Sequence, residues 1–342
     1  INFMDRRDTM LIQTLLVIGC MVTFTNCSNN SCRMELYGTT QGTYYKVVYY
    51  DENRRNLKEE VDSLLNAFDM SLSVYNPHSL VSRINNGDTS VVVDDFLMEN
   101  LLIAGNMYSL SDGAFDVTAM PLFDYWGFGS LKRDSLMSSD MMLHKENVSA
   151  LLDDVGFDKV VIDTVNRKVR FNGDNMKLCF NAVAQGYSVG VVARLLDSCG
   201  IENYLVEIGG EIYAKGSKPN GDLWKVGIEK PAENQNDAQV YSEIVEVSDK
   251  SIVTSGNYRK YYEIDGERYS HTIDPRSGFP VKNEILSATV IHDDPAYADA
   301  WATTFMVVGL EKTKSFLNKH PEMQVFIINS DGSEYKSWTN MK

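Results

Sequence analysis

The 342-residue chain lacks several features that mark particular classes of protein. It has no cluster of lysine and arginine, which a surface that binds nucleic acid requires, and its formal net charge is −15. The acidic residues are scattered rather than gathered in one block, and this indicates a solubilising surface. No internal repeat and no long low-complexity linker is present. With 44% hydrophobic residues, the chain can form a full core, and a single folded unit is favoured.

Long hydrophobic runs are also missing. Residues 11–24 are apolar but interrupted, and they are too short for a comfortable transmembrane span; preceded by two arginines, they are typical of an export signal. Cys27 is the preferred site of lipid attachment, because cleavage before it removes the whole apolar run. Cys20 is the alternative, because Gly19 before it is a small residue of the kind that a signal peptidase prefers. An uncleaved N-terminal anchor is the other interpretation.

The N-terminal pattern predicts a signal over residues 1–27, a polar tether over 28–35 and a folded domain over 36–342. The protein is then expected to be an extracytoplasmic lipoprotein, anchored to a membrane and facing the periplasm or the cell exterior. Of the five cysteines, Cys32, Cys179 and Cys199 remain after processing. They have no framework spacing, so free thiols are expected rather than disulfides.

Hydrophobic periodicity predicts the main helices, and a different pattern predicts the strands. The helices are expected near residues 57–68, 95–108, 182–196 and 295–308, the last with Asp294 as its cap and Pro295 at its first position. From 204 to 292 the pattern is mainly that of strands, whereas 121–142 is expected to be irregular. Because helices and strands do not alternate regularly, the sequence predicts an α+β fold.

The glycine spacings of the Rossmann and P-loop fingerprints are absent, so neither nucleotide-binding fold is supported. A different arrangement follows in the last third of the chain. Ser255 and Gly256 end a β run with a hydroxyl and a bare backbone, which together allow amide donors to approach a phosphate. His271 and Asp274 end a strand before a Pro-Gly turn, where polar groups are presented on a rigid sheet. The alternative is that His271 caps the strand and Asp274 begins an Asx-type turn.

Asp299 and Thr303 lie four residues apart, so on a helix they share one face. A carboxylate beside a hydroxyl suits Mg²⁺, with substrate phosphates and water completing its coordination. The alternative is an ordinary helix with one acid near its N-terminus, where the helix dipole favours it.

Further upstream, three features indicate a ligand. Residues 209–211 (Gly-Gly-Glu) join two strands and would let a ligand lie against the backbone, although a β-bulge explains two glycines equally well. Residues 181–186 open a helix, whose free amides attract an anion. Tyr75 in a polar loop can stack on a flat ring, although such a tyrosine is more often part of the core. A long irregular loop of the kind that contains Asp116 and Thr118 is usually functional or mobile.

Taken in chain order, these motifs resemble the FAD:protein FMN transferase (ApbE) family over about residues 34–330. They are Gly38 with residues 42–45, residues 73–75, 113–118, 209–211, 254–259, 271–278 and 298–300. The resemblance implies a single α+β domain of largely antiparallel sheets with flanking helices and a cleft between two halves. It implies Mg²⁺ as cofactor and FAD as substrate, whose FMN part is linked by a phosphoester to a Thr or Ser hydroxyl of a target flavoprotein while AMP leaves.

The resemblance also implies roles for individual residues. Asp299, Thr303 and the backbone carbonyl of Ala182 match metal ligands, and Tyr75 matches the residue that stacks on the isoalloxazine. His271 and Asp274 match the catalytic histidine and aspartate of the site, and His271 is the candidate general base for the acceptor hydroxyl. The other residues assigned to FAD are Asp116, Thr118, Gly209, Gly210, Glu211, Ser255, Gly256 and Arg259, with His271 among the contacts.

Four positions depart from the family pattern. Gln41 stands where methionine is common, Gln185 where lysine is common, and Cys179 and Gly190 where an acid is common. Two other functions therefore stay open: hydrolysis of FAD to FMN and AMP, and an exported lipoprotein that only binds flavin. The expected partner is an exported flavoprotein, such as a subunit of a membrane redox pump.

Overall fold

The structure is a computed structural model that describes residues 31–129, 141–230, 241–257, 261–264, 267–330 and 334–341. This part of the chain contains sixteen strands and eight helices. The strands are β1 Cys32–Thr40, β2 Thr43–Asp51, β3 Val160–Asp163, β4 Lys168–Phe171, β5 Tyr204–Ile208, β6 Glu211–Lys215, β7 Trp224–Glu229, β8 Tyr241–Val247, β9 Lys250–Gly256, β10 Tyr261–Ile264, β11 Glu267–Ser270, β12 Ile273–Asp274, β13 Phe279–Pro280, β14 Ile285–His292, β15 Gln324–Ser330 and β16 Tyr335–Thr339. The helices are α1 Lys58–Leu72, α2 Leu80–Asn85, α3 Asp95–Leu110, α4 Met120–Tyr125, α5 Met141–Leu152, α6 Ala184–Ser198, α7 Pro295–Val308 and α8 Leu310–Leu317.

One eight-stranded sheet organises the protein, in the order β1-β2-β5-β6-β9-β14-β15-β16. Every neighbouring pair in this sheet is antiparallel. The remaining strands form four two-stranded sheets, which pair β3 with β4, β7 with β8, β10 with β11 and β12 with β13. Helices and antiparallel strands are therefore segregated rather than alternating, and the predicted α+β class is confirmed.

The helices α6 and α7 lie side by side against the large sheet. Helix α6 packs on β5 and β6, whereas α7 packs on β9 and β14. Val189 and Val192 of α6 share a buried cluster with Ile208 of β5. The opposite face of the sheet is covered by the β7–β8 hairpin, whose Trp224 and Val226 are buried in a separate cluster. The two central helices thus face the middle of the sheet, where its two halves join.

Both helices begin where local sequence signals place them. Asp294 caps α7, because its carboxylate accepts hydrogen bonds from the amides of Ala296 (2.8 Å) and Tyr297 (3.3 Å), and Pro295 occupies the first turn. Helix α6 ends before Gly200, which has a φ of 74°. Within the described residues, no helix combines the length and the apolar character required to cross a lipid bilayer.

Three sequence predictions differ from the structure. The segment 121–142 was expected to be irregular, but α4 occupies residues 120–125 and α5 begins at Met141; six residues are too few for a helical period to be visible. Strand β14 lies in the region 204–292 that was predicted to be mainly strands, but its bounds were not predicted, because six of its eight residues are buried and its pattern does not alternate. Strand β1 begins at Cys32, so the ordered structure includes part of the predicted tether. The sequence also predicts hairpin turns at residues 265–266 (Asp-Gly) and 330–332 (Ser-Asp-Gly), of which residues 265–266 and 331–332 lie outside the described residues.

Candidate functional site

Asp299 lies on α7 with its carboxylate buried, at 5% relative exposure. Its Oδ2 accepts a hydrogen bond from the backbone amide of Gly186 on α6, at 2.9 Å. One turn further along α7, Thr303 Oγ1 lies 3.1 Å from Ser255 Oγ of β9. The helix therefore brings the predicted acid and hydroxyl to one face, where they meet α6 on one side and β9 on the other.

The close approach of α6 and α7 depends on glycine. A Cβ atom at Gly186 would lie 2.6 Å from Asp299 Cβ and 3.0 Å from the carbonyl carbon of Pro295, and closer still to the Pro295 carbonyl oxygen. At Gly190, four residues later, a Cβ would lie 3.2 Å from Pro295 Cγ. Gly186 thus permits the contact with Asp299. The only sequence signal for this role is the four-residue spacing of two glycines on one helix.

The same contact satisfies a backbone amide in the first turn of α6. The amides of Ala184 and Tyr187 donate to the carbonyls of Phe180 (2.8 Å) and Val183 (2.9 Å). Gly186 is the third residue of α6, and because the first four amides of a helix have no partner within it, its amide is available to donate to Asp299. In the described chain, no backbone amide bonds to the carbonyl of Ala182, which lies just before the helix. This oxygen is therefore able to accept another partner.

Glu211 is the first residue of β6 and a second acid near Asp299. Its Oε2 is buried and has no hydrogen-bond partner among the described residues. Burial and the neighbouring Asp299 carboxylate raise the pKa of Glu211 well above its ordinary value. Burial also raises the pKa of Asp299, and the Gly186 amide opposes that effect. The two acids form an electrostatically linked pair, and a bound cation would stabilise their charged forms.

Gly209 and Gly210 form the turn between β5 and β6, with φ angles of 61° and 108°. Gln185 Nε2 donates a hydrogen bond to the Ile208 carbonyl at 3.0 Å, and a Cβ at Gly209 would collide with this carboxamide. It would also lie 2.9 Å from the Thr43 methyl group. The glycine turn is therefore held between the start of β2 and the first turn of α6, next to Glu211.

Tyr75 follows α1 and is largely exposed, at 69%. Its hydroxyl accepts a hydrogen bond from Asn181 Nδ2 at 3.1 Å. Asn181 directly precedes Ala182, so this bond ties the aromatic ring to the turn that opens α6. An exposed, tethered ring suits stacking on a flat ligand better than a role in the core.

Asp116 and Thr118 form a tight loop with groups around residue 156. Asp116 Oδ1 accepts from the Thr118 amide (2.8 Å) and hydroxyl (2.7 Å), and its Oδ2 accepts from the Phe157 amide (3.2 Å). The Thr118 hydroxyl accepts from the Gly156 amide at 2.8 Å. Burial raises the pKa of Asp116 to about 6. These contacts show what shapes the loop; its predicted FAD contact remains a prediction.

Asp274 forms the turn that was the alternative interpretation of its position. Its Oδ1 accepts from the Arg276 amide at 3.0 Å, which is an Asx turn, and both carboxylate oxygens accept from the Arg276 guanidinium at 2.8 Å. A Cβ at Gly113 would lie 3.5 Å from Arg276 Cγ, so this turn packs beside the 113–118 loop. The sequence analysis gave Arg276 no role. The signal that could have indicated this ion pair is that Arg276 lies two residues after Asp274.

His271 is partly buried in the segment between β11 and β12. Its ring lies 6.3 Å from that of Phe128, measured between centroids, in an edge-to-face arrangement. Its predicted role as a base stays a prediction. Gly256 ends β9 beside Ser255. Arg259, Cys20 and Cys27 lie outside the described residues.

One short segment connects most of these groups. The amide of Cys179 donates to the Val117 carbonyl at 2.7 Å, which joins it to the 113–118 loop. Asn181 binds Tyr75, and Gly186 binds Asp299. Residues 179–186 thus connect two predicted flavin contacts, Tyr75 and the 113–118 loop, with the predicted metal ligand Asp299. Asp299 lies more than a hundred residues further along the chain.

The oxygen atoms at this site fit a hard cation. Asp299 supplies a carboxylate, Thr303 a hydroxyl and Ala182 a carbonyl without a backbone partner, and oxygen ligands of these kinds suit Mg²⁺. Across the described ranges, no group of three or more His, Cys, Asp or Glu side chains forms a metal site. A cation here would therefore rely on mixed oxygen ligands and on its substrate.

Comparison with known proteins decides the family. A family model described as the ApbE family matches residues 41–327. A protein of Vibrio cholerae serotype O1 named FAD:protein FMN transferase is 34% identical over 333 residues, covering 94% of this chain and 96% of its own length. The protein of that name from Escherichia coli K12 is 31% identical, covering 97% of this chain and 94% of its own. This chain belongs to the ApbE family.

Solved structures of ApbE proteins have the same fold. The flavin transferase ApbE from Vibrio cholerae superposes with a TM-score of 0.78 at 33% identity, over 90% of this chain and 97% of its own. The apo form of the flavinyl transferase ApbE from Pseudomonas stutzeri gives 0.77 at 33% identity, over 90% and 95%. The predicted membership in a family of flavin transferases is confirmed.

The departures from the ApbE pattern have structural counterparts. Gln41 begins the β1–β2 turn at a φ of 52°, and its Nε2 is buried with no partner among the described residues. Gln185 supports the glycine turn but carries no charge. Burial raises the pKa of Cys179 to about 11, so the thiol is neutral at this position. At Gly190, the nearby Pro295 ring restricts a larger side chain.

Proposed function

We propose that this protein transfers FMN from FAD to a Thr or Ser hydroxyl of a target flavoprotein in a Mg²⁺-dependent reaction. The hydroxyl oxygen forms a bond to the FMN phosphorus, the pyrophosphate bond breaks, and AMP leaves with the bonding electrons. The hydroxyl proton passes to a base. Membership in the ApbE family supports this function, and the observation that carries it is the buried Asp299, held by Gly186 beside the Ser255–Thr303 pair.

The described residues can supply what this reaction needs from a protein. Mg²⁺ bound by Asp299, Thr303 and the Ala182 carbonyl would neutralise phosphate charge, which is the main requirement of phosphoryl transfer. Tyr75, tethered by Asn181, stacks on the isoalloxazine. The glycine turn at 209–210 lets the nucleotide lie against the backbone. His271 accepts the proton of the acceptor hydroxyl as general base.

The test is to incubate the purified protein with FAD, Mg²⁺ and a candidate acceptor domain, and to measure the mass of the acceptor and the free nucleotides. A protein-bound FMN adduct supports transfer. Free FMN and AMP without an adduct would show hydrolysis instead, and unchanged FAD with tight binding would leave only a flavin carrier.

Two variants probe the metal assignment in the same assay. Asp299→Ala should abolish metal-dependent turnover, because it removes the only carboxylate among the proposed ligands. Asp293→Asn is the control. Asp293 lies two residues before α7, but its side chain is exposed and forms an ion pair with Lys250. Full turnover by Asp299→Ala would contradict the assignment.

We also propose that the protein is exported and attached to a membrane through a lipid on Cys27, with Cys20 as the alternative site. The interrupted apolar run before Cys27 supports this location. An extracytoplasmic site implies an exported acceptor flavoprotein, such as a subunit of a membrane redox pump.

A further inference from the structure

Glu211 faces the side of the sheet on which α6 and α7 lie. In the β5–β6 ladder it pairs with Ile208, and residues paired directly across an antiparallel ladder point to the same face. Ile208 is fully buried against α6, in a cluster with Val189 and Val192. The Glu211 side chain is therefore directed into the same layer as Asp299, and it interacts electrostatically with that residue.

One carboxylate oxygen of Glu211 is buried without a partner. Its Oε2 lacks a hydrogen bond to any described residue, although buried carboxylate oxygens are normally paired. In the part of the chain that the structure describes, neither Glu211 nor Asp299 forms an ion pair with a lysine, arginine or histidine. Position 185, where a lysine could supply a positive charge, is occupied by glutamine. The carboxamide nitrogen of Gln185 donates a hydrogen bond to the Ile208 carbonyl.

Two buried carboxylates without a counter-charge are unstable as a pair, because each loses its hydration and repels the other. The hydrogen bond from the Gly186 amide does not remove this repulsion, because it stabilises only the Asp299 carboxylate. A divalent cation between the two acids would supply the missing charge and a partner for Glu211 Oε2. Thr303 lies on α7 and Ala182 lies just before α6, and their oxygen atoms match the preference of such a cation.

We propose that Glu211 is a cation-binding residue, which holds through Oε2, directly or through one bound water, the same divalent cation as Asp299. This inference rests on the proposed function, which assigns Asp299 and Thr303 to the metal. Glu211, which directly follows the glycine turn, would then bind the cation in addition to any contact it makes with the nucleotide. The site then has two carboxylates and a neutral glutamine at position 185, so the cation supplies the positive charge that balances both acids.

Glu207 provides a matched control from the preceding strand. It lies one residue before Ile208 and therefore points to the opposite face of the sheet. Its carboxylate accepts a hydrogen bond from the Tyr44 hydroxyl at 2.9 Å and is not among the described groups without a partner. Glu207→Gln thus removes one negative charge close to the site without removing the proposed ligand.

The experiment measures the binding of Mn²⁺ alone to the full chain, by the electron paramagnetic resonance signal of the free ion. We expect Glu211→Gln to weaken binding about 10- to 100-fold, the usual effect of removing a group that supports a metal site. Glu207→Gln should change the affinity by about twofold or less, because an exposed charge is well screened. Asp299→Asn should bind more weakly than either variant.

Each outcome separates the inference from the assignment on which it rests. If Asp299→Asn loses binding while Glu211→Gln binds like the unmodified protein, the inference is overturned and the metal assignment stands. If neither variant loses binding, or if the unmodified protein binds no Mn²⁺, both are overturned. If Mn²⁺ binding depends on Glu211 but no acceptor is flavinylated, the inference stands and the proposed transfer fails.

A stability measurement guards against a variant that simply fails to fold. Without metal, Glu211→Gln should melt at the same temperature as the unmodified protein or higher, because a neutral amide replaces a buried charge. Its melting temperature should then rise less than that of the unmodified protein when Mn²⁺ is added. If Glu211→Gln does not fold, Glu211→Asp keeps the charge but shortens its reach, and it should bind Mn²⁺ more weakly; unchanged binding by Glu211→Asp would then count against the proposal.

Discussion

Replacing Gly186 by alanine adds one methyl group at the contact between α6 and α7. The added Cβ would lie 2.6 Å from Asp299 Cβ and 3.0 Å from the Pro295 carbonyl carbon. Carbon atoms pack at about 3.5–4.0 Å, so α7 would have to move by about 1 Å to accommodate the methyl group. The atoms in the way are the Pro295 backbone carbonyl and Asp299 Cβ, and neither can move away by rotation of a side chain.

The expected loss of stability follows from two opposing terms. Overpacking a tight contact costs about 1–3 kcal/mol, and the upper end applies where backbone must shift. Alanine is favoured over glycine inside a helix by about 1 kcal/mol. We therefore expect Gly186→Ala to lower the free energy of unfolding by about 2 kcal/mol. Because α7 carries Asp299, a displacement of about 1 Å should also lower metal-dependent turnover by about 100-fold.

Gly190→Ala is the control, because it makes the same change on the same helix and against the same Pro295. Its Cβ would lie 3.2 Å from Pro295 Cγ, which is the end of a ring that can shift slightly. The higher helix propensity of alanine then offsets the cost of the close contact with Pro295. The free energy of unfolding should therefore stay within about 1 kcal/mol of the unmodified value. Urea denaturation measures both variants. Equal stability of Gly186→Ala and Gly190→Ala would refute the reasoning.

Three further measurements test other parts of the structure. Burial raises the pKa of Asp116 to about 6, so between pH 4 and 6 the folded protein binds more protons than the unfolded chain. The contribution of Asp116 to the free energy of unfolding should therefore fall as the pH rises through this window, by at most about 3 kcal/mol, and Asp116→Asn should reduce the slope by that amount in urea titrations. Tyr75→Ala should weaken FAD binding about 3- to 10-fold in a flavin fluorescence titration, whereas Tyr75→Phe keeps the ring and should bind nearly normally; equal losses in both would contradict stacking. Cys27→Ser should abolish incorporation of labelled palmitate in the producing cell while Cys20→Ser retains it, and the reverse pattern would move the lipid to Cys20.

Local signals in the sequence were sufficient for the elements that carry the site. The cap at Asp294, with Pro295 after it, predicted the start of α7 correctly, and Gly200 predicted the end of α6 to within a few residues. These signals are short-range, since a cap depends on hydrogen bonds within one turn. Elements without such signals were not delimited, such as the mostly buried β14, or were missed, such as the six-residue α4.

The order of the motifs along the chain was also sufficient to predict the family, which the comparisons confirm. Sequence order does not determine how the motifs meet, however. Gly186 and Asp299 are 113 residues apart, and their hydrogen bond exists because two helices cross where one of them lacks a side chain. Asp274 looked equally suited to catalysis or to a turn, and the structure shows the Asx turn with Arg276.

The sequence by itself determined the α+β class and the two central helices, and it predicted which residues supply oxygen ligands to a metal. Only the tertiary structure decided that Glu211 and Asp299 interact electrostatically, that the Gly186 amide donates to Asp299 and that Asp116 is enclosed. The physical reason is that burial and electrostatic coupling depend on which distant segments pack together. The charge of a residue can be read from the sequence, whereas the environment that gives this charge a function comes from the fold.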